Sequence, residues 1–202
     1  MANVEALLSD VRGCEICDRL PLGPQPLLQL GSKARILIAG QAPGRKTHEA
    51  AKPFYDASGA RLRDWLGVTE AQFYDPDIFA ILPMAFCFPG SGRSGDAPPP
   101  PICAETWRGP LLNALPNIAL TIILGRYAIG YHLPDDKKTP IDALSRRWLD
   151  DSGDTLVLPH PSGRNNIWLA KNPWFAAELV PKLQARVAQV IGDCSPPACG
   201  RG

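Results

Sequence analysis

The chain has 202 residues, 45% of them hydrophobic, with a formal net charge of +1 and an isoelectric point near 7.6. That is enough apolar material for one domain with a real core, and it excludes a strongly basic nucleic-acid wrapper while leaving room for a small local basic footprint. No apolar run approaches a membrane span, and the opening Met-Ala-Asn-Val-Glu-Ala-Leu-Leu lacks a basic region followed by a long apolar one, so a cytoplasmic protein without membrane association is expected.

Val4, Leu7, Leu8 and Val11 fall at helical spacing within residues 2–12. Cys14-Glu-Ile-Cys17 follows, then an irregular Pro-rich segment from Pro21 to Pro26. Arg35-Ile-Leu-Ile-Ala39 reads as a short buried strand and runs straight into Gly40-Gln41-Ala42-Pro43-Gly44. A strand ending in such a turn brings backbone N–H groups to the sheet edge, where they can meet an anion or a carbonyl. Neither the Rossmann nor the P-loop spacing is met, and an ordinary strand-to-loop turn is the alternative. In Lys52-Pro53-Phe54-Tyr55-Asp56-Ala57-Ser58-Gly59, Ser58 is expected to cap a helix carrying Leu62, Trp65 and Leu66. The aromatic pair beside a carboxylate suits stacking on a flat ring; Phe54 in the core is the alternative.

Asp77 to Leu82 reads as a second strand, leading through Pro83 and Met84 to Cys87. A Gly/Ser/Pro-rich loop from Phe88 to Pro101 reaches Cys103, which is expected to open a helix carrying Trp107, Leu111 and Leu112. Ile118 to Leu124 is the third strand, followed by a helix to about His132 and a charged loop from Pro134 to Thr139. Thr155 to Leu158 is the fourth. Residues 172–191 form a last amphipathic helix, with Trp174, Leu179, Leu183, Val187 and Val190 towards the core. The tail from Gly192, with Cys194 and Cys199, is Pro/Gly-rich and expected to be disordered. Strands alternating with helices argue for a parallel sheet covered on both faces, in a single domain over residues 1–192.

The segment Leu158-Pro159-His160-Pro161-Ser162-Gly163-Arg164-Asn165-Asn166 carries the strongest functional signal. Each proline fixes its own φ and pushes the preceding residue towards extended geometry, so His160 is held on a stiff loop past a strand's carboxyl end. In an open α/β sheet that edge is where ligands bind. Arg164 stands on the same loop. A rigid loop with a capping histidine is the plainer alternative.

Cys14, Cys17, Cys87 and Cys103 make a four-thiol set suited to zinc or an iron–sulfur cluster, in a chain where disulfides are not expected. The second pair is split by a long Gly/Pro loop, unlike a zinc ribbon's two C-x2-C pairs, which favours a cluster over zinc. Unligated buried cysteines are the alternative.

Gly40-Gln-Ala-Pro-Gly44 after the first strand, Pro53-Phe54 about ten residues on, the four-cysteine layout, and His160-Pro-Ser162 after the last strand together resemble the uracil-DNA glycosylase superfamily. The cysteine layout resembles its iron–sulfur branch. The resemblance covers residues 10 to 190 and implies a three-layer α/β/α fold around a four-stranded parallel sheet. It implies a monofunctional enzyme of base excision repair that hydrolyses the bond between uracil and deoxyribose in DNA after the base leaves the stack. His160 would donate to a uracil carbonyl as negative charge develops, and Phe54 would stack on the base. Backbone groups of Gly40, Gln41 and Ala42 would contact uracil and help place the water, with Gln41 counted in the catalytic set. Arg164 would wedge into the duplex, while Ser162, Pro43 and Gly44 would face DNA. A [4Fe-4S] cluster would sit on Cys14, Cys17, Cys87 and Cys103, with zinc as the alternative metal. The expected partner is uracil-containing DNA and the expected state a monomer.

Three departures from that pattern matter. The family's acidic residue in the first motif is missing at Gln41 and Ala42. Asp56 is the expected replacement, positioning water and balancing the oxocarbenium charge, with His48 and Glu49 as understudies. An Asn commonly found four residues before the third cysteine is here Pro83, which shifts base readout to backbone groups near Met84 and Ala85 or to an Asn such as Asn166. Arg164-Asn165-Asn166 replaces a Leu-bearing loop. These departures keep three rivals open: a glycosylase for hypoxanthine or xanthine, a non-catalytic binder of flipped bases or abasic sites, and a zinc-stabilised structural domain.

Overall fold

The computed structural model describes residues 4–17, 19–92 and 95–192. Four strands form one parallel sheet: β1 (Ile36–Ala39), β2 (Phe79–Ile81), β5 (Leu120–Leu124) and β6 (Thr155–Leu158), in the order β2-β1-β5-β6. They are the four read from the sequence, with β1, β2 and β5 starting later than expected. A separate two-stranded antiparallel hairpin, β3 (Ser91–Gly92) and β4 (Gly95–Asp96), stands between β2 and β5 in the chain.

Side chains alternate across a strand, so each strand feeds both faces of the sheet. Ile36, Ile38, Phe79, Ile81, Ile122, Leu124, Leu156 and Leu158 form one apolar layer. It packs against Leu62, Trp65 and Leu66 of α3 (Ala57–Leu66) and Leu183, Val187 and Val190 of α9 (Val180–Gly192). A π-helical turn, Phe175–Leu179, leads into α9. On the opposite face, Leu37, Ala80 and Leu82 meet Val11 of α1 (Val4–Arg12) and Leu111 of α5 (Pro101–Asn113). Ala39, Ile123 and Val157 meet Ala128 and Ile129 of α6 (Arg126–His132) and Leu144 of α7 (Ile141–Asp151). The fold is therefore the three-layer α/β/α sandwich that the resemblance implied.

Several elements were not read beforehand. Helix α7 sits where only a loop and the approach to the fourth strand were read; Leu144 and Trp148, one turn apart, bury against different layers, and Ser145 is fully buried with its hydroxyl 2.7 Å from the Val157 carbonyl oxygen. Three short helices, α2 (Arg45–Glu49), α4 (Glu70–Phe73) and α8 (Asn166–Lys171), are too brief to show a period. Helix α5 opens at Pro101, with Cys103 inside its first turn rather than at its start. The tail with Cys194 and Cys199 lies outside the described residues. No helix among the described residues is long and apolar enough to cross a membrane.

Candidate active site

Moving from β2 to β5, the chain passes to the other side of β1, so the sheet's order reverses between β1 and β5. Crevices form at the carboxyl ends of strands around such a point. A cavity of about 450 Å3 opens there, within the range of about 300–1,000 Å3 common to ligand pockets. Every strand of the main sheet supplies part of its wall: Gly40 to Gly44 after β1, Ile81 and Pro83 from β2, Leu124 and Gly125 from β5, and His160 after β6. The register fixes this convergence. Ala39 pairs with Ile123 and Leu124 with Leu158, so the chain leaves neighbouring strands at nearly one level.

Of the site residues expected from sequence, Gly40, Gln41, Ala42, Pro43, Gly44, Phe54, Asp56, His160, Ser162 and Arg164 all line this cavity. Met84 and Asn166 do not. Met84 is buried in the layer beneath, and its N–H donates to the Gly40 carbonyl (2.9 Å), while the Ala85 N–H donates to that of Gln41 (3.1 Å). These two donors hold the first-strand turn against the β2 exit. Asn166 is exposed and accepts from Arg61 Nη1 at 2.9 Å; its neighbour Asn165 is the one that faces the cavity. His48 is buried with its ring centroid 6.3 Å from that of Phe88, and Glu49 is exposed, so neither understudy reaches the cavity.

His160 is pinned from its own backbone. Asn165 Nδ2 donates to the His160 carbonyl (2.7 Å), and Arg61 Nη1 on α3 donates to that of Ser162 (3.2 Å). Burial depresses the pKa of His160 below its ordinary value of 6.5; the Asp56 and Asp96 carboxylates pull it upwards and Arg164 pushes it down. The balance favours a neutral imidazole, which can donate one hydrogen bond from the ring without carrying a charge.

Phe54 takes the left-handed backbone conformation, φ +54°, which is costly for a residue with a β-carbon. Its surroundings hold it there. The ring packs edge-on against Phe73 (centroids 6.1 Å), and the preceding Pro53 carbonyl accepts from the Tyr74 hydroxyl (2.8 Å). Gly59 leaves space behind it: a β-carbon there would lie 1.7 Å from the Phe54 carbonyl oxygen. Asp56, rather than the expected Ser58, caps α3, accepting from the Gly59 N–H at 2.9 Å. Ser58 instead joins the cavity wall.

Sequence reasoning missed Asp96 and Arg61. Asp96 brings a second carboxylate to the cavity from the β3–β4 hairpin. An Asp after a Gly in a Gly/Ser/Pro loop looks like any turn residue, so nothing marked it. Gln41 Nε2 donates to the Ala97 carbonyl (3.1 Å), tying that hairpin to the first-strand turn. The Arg164 guanidinium packs against Gly95, where a β-carbon would come within 1.8 Å of its Nη1.

Behind Pro83 lies a fully buried arginine. Arg108 Nη1 donates to the carbonyls of Leu82 (2.9 Å) and Pro83 (3.2 Å), Nη2 contacts His132 Nε2, and the guanidinium stands 5.0 Å from the Tyr131 ring centroid. Burial lowers Arg108 to about 10 and, with help from Arg108, His132 to about 4. At neutral pH the arginine is therefore charged and the histidine neutral, as a donor–acceptor pair requires.

Cys14, Cys17, Cys87 and Cys103 line one apolar hollow beside Phe86 and Trp107. Among the described residues they do not stand as a closed metal-ligand set. The donors around them suit thiolates: the Trp107 indole N–H donates to Cys14 Sγ (3.3 Å), and backbone groups of Gln25 and Phe86 hydrogen-bond Cys87 and Cys103. Burial pushes the Cys103 thiol up to about 12, a cost that a bound cation would reverse.

Among solved structures, the chain is similar to the solution NMR structure of a candidate uracil DNA glycosylase from Methanosarcina acetivorans, at 16% identity over 80% of this chain and 94% of that one, with a TM-score of 0.46. A likeness of that size carries no functional argument. The family match is stronger: the uracil DNA glycosylase superfamily matches residues 28–184, from just before β1 into α9 and so across the whole sheet and every wall of the cavity but Leu27. On that match, the chain belongs to the uracil DNA glycosylase superfamily.

Proposed function

We propose that this protein is a monofunctional uracil-DNA glycosylase acting through one domain over residues 1–192. The observation that carries the reading is the single cavity shared by His160 and the Gly40–Gly44 turn, with Phe54 and a carboxylate on its walls. Breaking the glycosidic bond leaves positive charge on the sugar and negative charge on the uracil. A neutral His160, desolvated and pinned, donates to the carbonyl oxygen on which that negative charge grows; donors of this kind are worth about a hundredfold or more in rate. Phe54 stacks on the flipped base, while Gly40, Gln41 and Ala42 form the wall along its edge. Asp56, its direction set by the α3 cap, balances the sugar's charge and orients water. Ser162, Arg164, Pro43 and Gly44 line the side from which DNA would approach.

The cysteine hollow supports a [4Fe-4S] cluster held by Cys14, Cys17, Cys87 and Cys103, with zinc as the alternative. Its role in this reading is structural. The four ligands would fasten the segment after α1 and the segment after Pro83 to α5, which carries Cys103 and Arg108. Purified protein is then expected to be brown, with iron and sulfide in equal amounts, and Cys103→Ala to lose both; a colourless protein containing zinc would replace the cluster with the alternative.

Release of free base from a uracil-containing oligonucleotide, followed by alkaline strand breakage, tests the activity. Asp56→Asn is expected to slow release about a hundredfold. An intact strand with metal-loaded protein would count against the reading. A second reading, excision of hypoxanthine or xanthine, draws support from Pro83 in the cavity wall and from the engaged N–H groups of Met84 and Ala85, which leave uracil's pairing edge fewer obvious partners. The same assay on oligonucleotides carrying those bases decides between them.

A further inference from the structure

The cavity holds a carboxylate that the motif pattern did not anticipate. Asp96 sits on β4, and that hairpin is tied to the cavity wall and closed at its base. Gln41 Nε2 donates to the carbonyl of Ala97, the next residue, and the Ala97 N–H donates to the Gly90 carbonyl (2.8 Å), closing the base of the hairpin. The Asp96 carboxylate abuts the first-strand turn: a β-carbon at Gly44 would lie 3.3 Å from its Oδ2. That turn is where the missing first-motif acid would have stood. Asp56 approaches from α3 with one oxygen committed to the Gly59 N–H. A carboxylate is also a poor choice for a face that must approach phosphates, since it repels them. Its presence there calls for a chemical task.

Resting on the glycosylase reading above, we propose that Asp96 is a catalytic residue, the general base that accepts a proton from the attacking water. The water oxygen bonds to the sugar's C1′ as the C1′–N bond breaks. The bonding pair leaves with the base as an anion, and one water proton passes to the Asp96 carboxylate and then to solvent. Asp56 remains the fixed charge beside the sugar. The hairpin thus returns, from another part of the chain, the acid that positions 41 and 42 lack.

The test is single-turnover release of uracil from a single-stranded oligonucleotide by the wild type, Asp96→Asn and Asp96→Ala, with DNA binding measured alongside. Asp96→Asn should lower the rate at saturating protein by about a hundredfold, the scale of one acid–base group, while DNA affinity holds or tightens because a negative charge has gone. Formate should restore part of the rate to Asp96→Ala. A hairpin that merely supports the fold would instead lose rate and affinity together, without rescue, and that result overturns the role. Near-normal release by Asp96→Asn from an active wild type also overturns it and spares the glycosylase reading. A wild type that frees no base overturns both.

Discussion

His160 illustrates how one side chain's surroundings decide its chemistry. Free in solution an imidazole would be half-protonated at 6.5, but burial holds this one neutral to lower pH. The unfolded chain takes up the proton near 6.5 and the folded chain only below it. Between those values the unfolded state binds more protons, so the native state loses stability as pH falls below 6.5 and through the depressed value. A ring-proton titration of His160 by NMR is expected to show a midpoint below 6.5, and uracil release at saturating protein to stay level from mildly alkaline pH down to 6.5. A midpoint at or above 6.5 would contradict the neutral donor. The proline bracket and the strand before it made this residue visible in the sequence. Asp96 was invisible because its meaning depends on a neighbour, Gly44, 52 residues away in the chain.

At the scale of elements, α3 does three things at once. Its N-terminus fixes Asp56, its first turn admits the Phe54 carbonyl, and Arg61 holds the Ser162 carbonyl and Asn166. Gly59 is where these demands meet. Gly59→Ala must drive the Phe54 carbonyl away, moving the stacking ring and the cap together. We expect it to cost about 2 kcal/mol or more in urea denaturation and to lower uracil release more than a comparable change elsewhere on α3. The four sheet strands were legible because each is a short, mostly apolar run containing a β-branched residue. Helix α7 went unread although Ile141, Leu144 and Trp148 fall at i, i+3 and i+7: the stripe spans only two turns, set among charged residues that read as a loop. The cap was misassigned because both Asp56 and Ser58 are good capping residues, and only the hydrogen bond to Gly59 chooses between them.

Across the whole molecule, one chain segment, from Pro83 to Cys87, runs from the cavity to the cysteine hollow. Arg108 stands on α5 with Cys103 and grips the carbonyls of Leu82 and Pro83, which begin the segment that ends at Cys87. Removing that guanidinium leaves two buried carbonyls without their donor. Arg108→Ala is expected to cost about 2–4 kcal/mol by urea denaturation, and to weaken uracil release through a displaced Pro83 wall. Wild-type stability in that variant would show the two regions to be independent. Long-range links of this kind lie beyond a sequence reading, which sees an ordinary helix arginine.

Because four walls of the cavity stand where the strands of the main sheet stop, the sheet works as a gauge, and distance in it is counted in residues. Deleting one residue inside β6 would draw the imidazole back by about 3.3 Å and turn it to the opposite face, while several residues added between Lys137 and Thr139 would leave it where it is. Variation in chain length should therefore be tolerated almost anywhere except in the few positions that measure out the reach of the reacting groups.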